Sequence, residues 1–83
     1  MREITLDELI DLLGEVVDFS GVEINQHMVL GEDIPVDSSD MLRILSRIES
    51  KYKFRFKMEE ILGLKTVGDL LETVRSYLEG GHA

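Results

Sequence analysis

The chain has 83 residues, with 17 acidic side chains against 9 basic ones, a net charge of −8 and no cysteine. That length makes one domain, the missing thiols exclude disulfides and thiolate-held metals, and the acidity argues against non-specific nucleic-acid binding. No apolar run reaches the roughly 18 residues that would cross a bilayer, and the acidic start lacks the basic flank of a secretory signal. A soluble cytoplasmic domain is expected.

In chain order, Thr5 followed by Glu8 reads as a capping box, with Ile4 and Leu9 placed as the hydrophobic staple around it. Leu6, Leu9, Ile10, Leu13, Val16 and Val17 then share one face, which predicts a first helix over about 6–17, with Ser20-Gly21 beyond its end. Residues 18–36 show no sustained period and are punctuated by Gly21, Asn25, Gly31 and Pro35, although Val22, Ile24, Met28, Val29 and Leu30 are apolar. So long a loop in so small a domain points to function.

The second helix opens in "PVDSSDML", residues 35–42, just behind the single proline. Pro35 pushes Ile34 toward extended geometry. Asp37 is placed to cap the N–H of Ser39 or Asp40, Asp40 suits the positive end of the helix dipole, and Val36 and Met41 take the staple positions. Met41, Ile44, Leu45, Ile48 and Tyr52 supply a buried stripe through about residue 52. The alternation in "KFRFK" alone would suit a strand, but no second segment offers pairing, so Phe54 and Phe56 read as loop anchors in the core. "MEEIL" suits one short helical turn ended by Gly63. Thr66 with Asp69 caps the last helix, whose stripe is Val67, Leu70, Leu71, Val74, Tyr77 and Leu78. The expected fold is all-α, a four-helix bundle of three long helices and one short one, over residues 1–79, with 80–83 as a tail.

Charge is unevenly spread. Residues 1–40 hold eleven acidic side chains and one basic, a balance of −10, whereas residues 41–57 hold six basic and one acidic, a balance of +5. Arg43, Arg47 and Lys51 stand at i, i+4 and i+8, one basic stripe on the second helix. Asp40 is placed to offset Arg43, and Glu49 to pair with Lys53.

Catalytic chemistry finds little support. His82 lies in the tail, and nothing in the spacing of His27 makes it a base for Ser38 or Ser39. The calcium-loop pattern is absent around Asp33–Asp40, and no glycine-rich phosphate loop exists. The chain is not expected to be an enzyme.

The layout resembles the acyl carrier protein family over nearly the whole chain. A capped first helix, a long loop, "DSSDMLRILSRIESKY", a short third helix and "TVGDLLETVRSYL" follow in the family's order. Its mark is the Asp37-Ser38 dipeptide opening the second helix, followed by an acidic residue, here Asp40. Glu32-Asp33 and Thr66-Val67 also match. The resemblance implies that Ser38 receives 4′-phosphopantetheine from coenzyme A through a phosphopantetheinyl transferase. Asp37 then helps to hold the transferase's metal ion, and the arm's thiol carries an acyl group to acyl-loading and acyl-transfer enzymes.

It further implies that the second helix docks partners, which would involve Asp40, Met41, Arg43, Arg47 and Lys51. A chain sheltered between the second and third helices would meet Met41, Leu45, Phe54, Phe56, Ile61 and Leu62. Two phenylalanines there would limit its length. A monomer is expected.

Three departures stand out. Ser39 occupies a position usually held by a bulky aliphatic, Pro35 replaces a common glycine, and the usually acidic second helix carries a basic stripe. That reversal suggests a dedicated pathway whose enzymes offer an acidic or mixed docking surface. An aminoacyl or peptidyl carrier, or an unmodified helical interaction module in which the two serines are helix caps alone, stay open on sequence. The Gly-Gly-His/Asp-Ser stretch of peptidyl carriers is missing.

Overall fold

The structure, a computed structural model, describes residues 4–19 and 22–79. Arg2, Ser20-Gly21, the proposed tail 80–83 and His82 lie outside the described residues. Among the described residues the fold is all-α, with four helices in the order α1 (Leu6–Gly14), α2 (Ser38–Tyr52), α3 (Met58–Leu62) and α4 (Val67–Leu78). Among the described residues no helix is long and apolar enough to cross a membrane.

Each of the three longer helices starts on a two-way cap. In α1 the Glu8 N–H donates to Thr5 Oγ1 at 3.2 Å and the Thr5 N–H to Glu8 Oε1 at 3.2 Å. In α4 the Asp69 N–H donates to Thr66 Oγ1 at 3.1 Å and the Thr66 N–H to Asp69 Oδ2 at 3.0 Å. The Thr66 N–H, with a further donor at Lys65, holds the Asp69 carboxyl below its ordinary pKa against the opposing effect of burial. These caps satisfy amides that have no partner inside the helix.

The first helix is shorter than its apolar spacing predicts. It ends at Gly14 rather than near residue 17, and the Glu15 and Val16 N–H groups close tight turns on Leu12 O and Leu13 O. Gly14 and the β-branched Val16-Val17 pair all favour leaving the helix there. Val17 still reaches the core through that turn. The buried face also differs: it comprises Leu9, Leu12 and Leu13, while Leu6 and Ile10 are half-buried. Leu12 was missing from the predicted stripe because the adjacent Leu12-Leu13 pair widens the buried face beyond a single ridge.

α2 runs as its sequence predicts and ends on Lys53 in the left-handed region, φ 62°. Glu49 does not reach Lys53 as its partner; its Oε2 accepts the Phe56 N–H at 2.8 Å. That bond pins the α2–α3 connection, and Phe54 and Phe56 turn inward as anchors. Phe54 stacks on Tyr77 of α4 with ring centroids 4.3 Å apart, and Phe56 meets Phe54 edge-on at 5.0 Å.

The long connection between α1 and α2 is docked against the start of α4. The Val67 N–H donates to Met28 O at 3.0 Å, the Gly68 N–H to Gln26 O at 2.8 Å, and the Leu30 N–H to Lys65 O at 2.9 Å. Loop carbonyls thus satisfy the first amides of α4. The approach requires glycine at 68, since a Cβ there would lie 2.9 Å from Gln26 O. The chain then reverses at Gly31, φ 93°, whose N–H donates to Ile34 O at 2.9 Å. Asp33 Oδ2 accepts the Val29 N–H at 2.8 Å. Ile34 is fully buried beyond this turn, so the segment entering α2 is anchored three residues before Asp37.

Candidate functional site

Residues 34–41 form the candidate site. From the buried Ile34, the exposed Pro35 and half-buried Val36 lead to Asp37 in an extended conformation. Asp37 Oδ1 accepts the Asp40 N–H at 2.8 Å, and Asp40 Oδ2 accepts the Asp37 N–H at 3.3 Å. The sequence allowed Asp37 to cap either Ser39 or Asp40, and the bond falls on Asp40. Both carboxylates are therefore turned to backbone, and Asp40 does not offset Arg43.

Ser38 and Ser39 are the first two residues of the helix, and both are exposed. Their amides and hydroxyls have no hydrogen-bond partner among the described residues. This end of a 15-residue helix presents two open donors and the positive pole of the dipole.

A cleft of about 200 Å³ opens beside Ser38, lined also by Leu30, Val36, Asp37, Met41, Ile61 and Leu64. Ser39 is not part of its wall. Of the six residues expected to wall an acyl chain, Met41 and Ile61 line this cleft with Ser38. Leu45 and Phe56 are buried in the core, Phe54 lies on Tyr77, and Leu62 is 77% exposed.

Leu30, Val36 and Leu64 complete the lining without having been expected there. Val36 and Leu30 carried a signal, one as a staple residue and one as an apolar residue in a loop. Leu64 carried a weaker one, an apolar residue just past a helix-ending glycine.

On α2, Leu42, Arg43, Ser46 and Arg47 line a shallow surface groove. Leu42 is 64% exposed, an apolar residue at the surface that helical periodicity assigned no role. Arg47 is engaged, its Nη1 2.8 Å from Glu15 Oε1 at the end of α1. Arg43 is exposed and has no ion pair among the described residues. Lys51 Nζ lies 5.7 Å from the Tyr52 ring centroid. The three basic residues therefore stand in different states, and Arg43 is the most open of them.

His27 is exposed in the loop and does not line the Ser38 cleft. No group of His, Asp or Glu among the described residues has metal-holding geometry.

The family model described as "Phosphopantetheine attachment site" matches residues 7–74. The acyl carrier protein of Rhodococcus erythropolis (strain PR4 / NBRC 100887) is 32% identical over 84 residues, covering 95% of this chain and 92% of that protein. That of Coprothermobacter proteolyticus (strain ATCC 35245 / DSM 5265 / OCM 4 / BT) is 30% identical over 77 residues, covering 93% and 94%. The meromycolate extension acyl carrier protein of Mycobacterium tuberculosis (strain ATCC 25618 / H37Rv) is 29% identical over 80 residues, covering 92% of this chain and 70% of that one.

Proposed function

The chain belongs to the phosphopantetheine attachment site family, and from that premise we propose that it is an acyl carrier of lipid biosynthesis whose 4′-phosphopantetheine is attached at Ser38. The observation that carries the attachment point is the open start of α2: an exposed hydroxyl on a cleft, beside two amides without partners. A phosphodiester on Ser38 suits this position, because those amides and the helix dipole favour an anion there. Asp37 and Asp40 keep their carboxylates on each other's amides, which holds the turn in shape. When bound, the arm supplies a terminal thiol that holds the acyl group as a thioester.

Asp37, exposed and next to Ser38, takes the role that the family resemblance implies, contact with the transferase and its metal ion. Leu30, Val36, Met41, Ile61 and Leu64 offer a short apolar wall for the start of a chain. Leu45, Phe54 and Phe56 back that region as packed core. In this reading residues 1–79 form one carrier domain, a bundle of three longer helices and one short helix, acting as a cytoplasmic monomer. The protein itself catalyses nothing, as the family's role is carriage. Carriage of acyl rather than aminoacyl groups is supported by the relatives, which are acyl carrier proteins.

Incubation with coenzyme A and a phosphopantetheinyl transferase tests the reading. The intact mass is expected to rise by one arm; no rise with several transferases would leave an unmodified helical module.

α2 is the proposed face for acyl-loading and acyl-transfer enzymes, with Asp40 and Met41 near its start, Arg43 and Arg47 in its groove and Lys51 further along the helix. Its positive charge suits partners with an acidic or mixed surface, as in a dedicated pathway. Charge of this kind acts on encounter rate and specificity more than on affinity. Reversing Arg43 and Arg47 together to Glu is expected to raise loading by general fatty-acid enzymes about tenfold at low salt, with most of the gain from Arg43. Unimproved loading contradicts the docking assignment.

A further inference from the structure

α3 is five residues long and fully buries none of them. A helix of that length does not persist alone, so contacts at its ends set its position. Beyond its C-terminal end, the Lys65 N–H donates to Asp69 Oδ2 at 3.1 Å and Lys65 O accepts the Leu30 N–H at 2.9 Å.

Its N-terminal end is tied to α4 through Tyr77. The Tyr77 hydroxyl donates to Glu60 Oε1 and accepts the Lys57 N–H at 3.2 Å. The same N–H also donates to Glu60 Oε1 at 3.0 Å, so Tyr77 closes a three-membered cap around the start of α3. Its ring lies parallel to Phe54, with 8° between the planes. Burial, then the bond to Glu60, pushes the phenol above its ordinary pKa; a tyrosine hydroxyl is protonated and able to donate at neutral pH even without that shift. From the other end of this segment, Ile61 and Leu64 form part of the cleft beside Ser38.

We infer that Tyr77 is a positioning residue for the acyl cargo: by holding the start of α3, its hydroxyl fixes the α3 wall of the Ser38 cleft and sets how well a bound chain is covered. The inference deepens the Ser38 reading and rests on it. α3 is the wall able to move, since α2 and the loop are anchored by the fully buried Ile44, Ile48 and Ile34. The hydroxyl therefore acts on the cargo without touching it.

The test is Tyr77→Phe in the full chain, which keeps the stacked ring and removes the hydroxyl. Amide hydrogen exchange over residues 58–64 is expected to quicken about 3- to 10-fold, the range one net hydrogen bond corresponds to, while the α1 amides keep their rates. In the arm-bearing protein, a hexanoyl thioester is expected to react faster with hydroxylamine by a similar factor, and an acetyl thioester at the parent rate. Unchanged exchange over 58–64, an equal rise in α1, or equal quickening of both thioesters overturns the proposal. The exchange measurement needs no arm, so an error in the attachment point would appear in the fragment masses that map the arm and leave that result standing.

Discussion

Ser38→Ala abolishes the gain of one phosphopantetheine arm on incubation with coenzyme A and transferase, whereas Ser39→Ala gains it as the parent does. The contrast is expected to be all or none, because attachment requires an oxygen at the correct place and has no partial substitute. Both side chains are exposed at the start of α2, so neither change removes packing, and each variant should fold with stability within about 0.5 kcal/mol of the parent. The local environment does not separate the two chemically: both hydroxyls are free and both residues offer an open amide. Geometry separates them, since Ser38 lines the cleft together with Asp37 and Ser39 does not. An arm from Ser38 starts beside a surface suited to its cargo. The reversed result would place the attachment one residue further along and break the link between arm and cleft.

Ile34→Ala is the second large effect, acting on the platform beneath the site. Ile34 has no exposed surface although it belongs to a loop. Truncating a fully buried isoleucine costs about 2–5 kcal/mol, a large share of the roughly 5–15 kcal/mol that holds a small domain folded. The midpoint of urea unfolding is expected to fall with its slope unchanged. A second consequence is local. Ile34 O accepts the N–H groups of Gly31 and Val36, at 2.9 and 2.8 Å, so its anchorage also fixes the turn that delivers Asp37. Modification of the folded variant is expected to slow as that turn loosens. A midpoint shift worth less than about 0.5 kcal/mol would mean that the loop is not docked.

These two results bear on different levels of the protein, and the sequence exposes those levels unequally. The helix starts were legible because each is a short local pattern: Thr5 with Glu8, Asp37 with Asp40 and Thr66 with Asp69 all form the caps their spacing allows. The limits of α2, α3 and α4 followed from the same kind of local signal. Where α1 stops depends on a balance between an apolar stripe that continues to Val17 and a glycine with two valines that disfavour helix, and the stripe alone suggested too long an element. The docking of the loop was less accessible. Met28 O and Gln26 O meet the amides of Val67 and Gly68 about forty residues away, and nothing near either segment announces the other.

The site was legible in the same uneven way. Its proposed centre, Ser38 with Asp37, is contiguous in sequence and so open to a local reading. Its walls come from three separate segments, so Leu30 and Leu64 gave no local sign of meeting Met41, while Leu45 and Phe56 were drawn into the core instead. The basic stripe was visible from spacing, but the Arg47–Glu15 ion pair joins residues 32 apart. That pair changes the meaning of the stripe, leaving Arg43 as its open charge.

The measurement that tests the account most directly is the intact mass of the protein purified from its native host, with the modification mapped by tandem fragmentation. The account predicts one phosphopantetheine arm, free or acylated, on Ser38 alone. A chain without an arm, or an arm on Ser39, would contradict it.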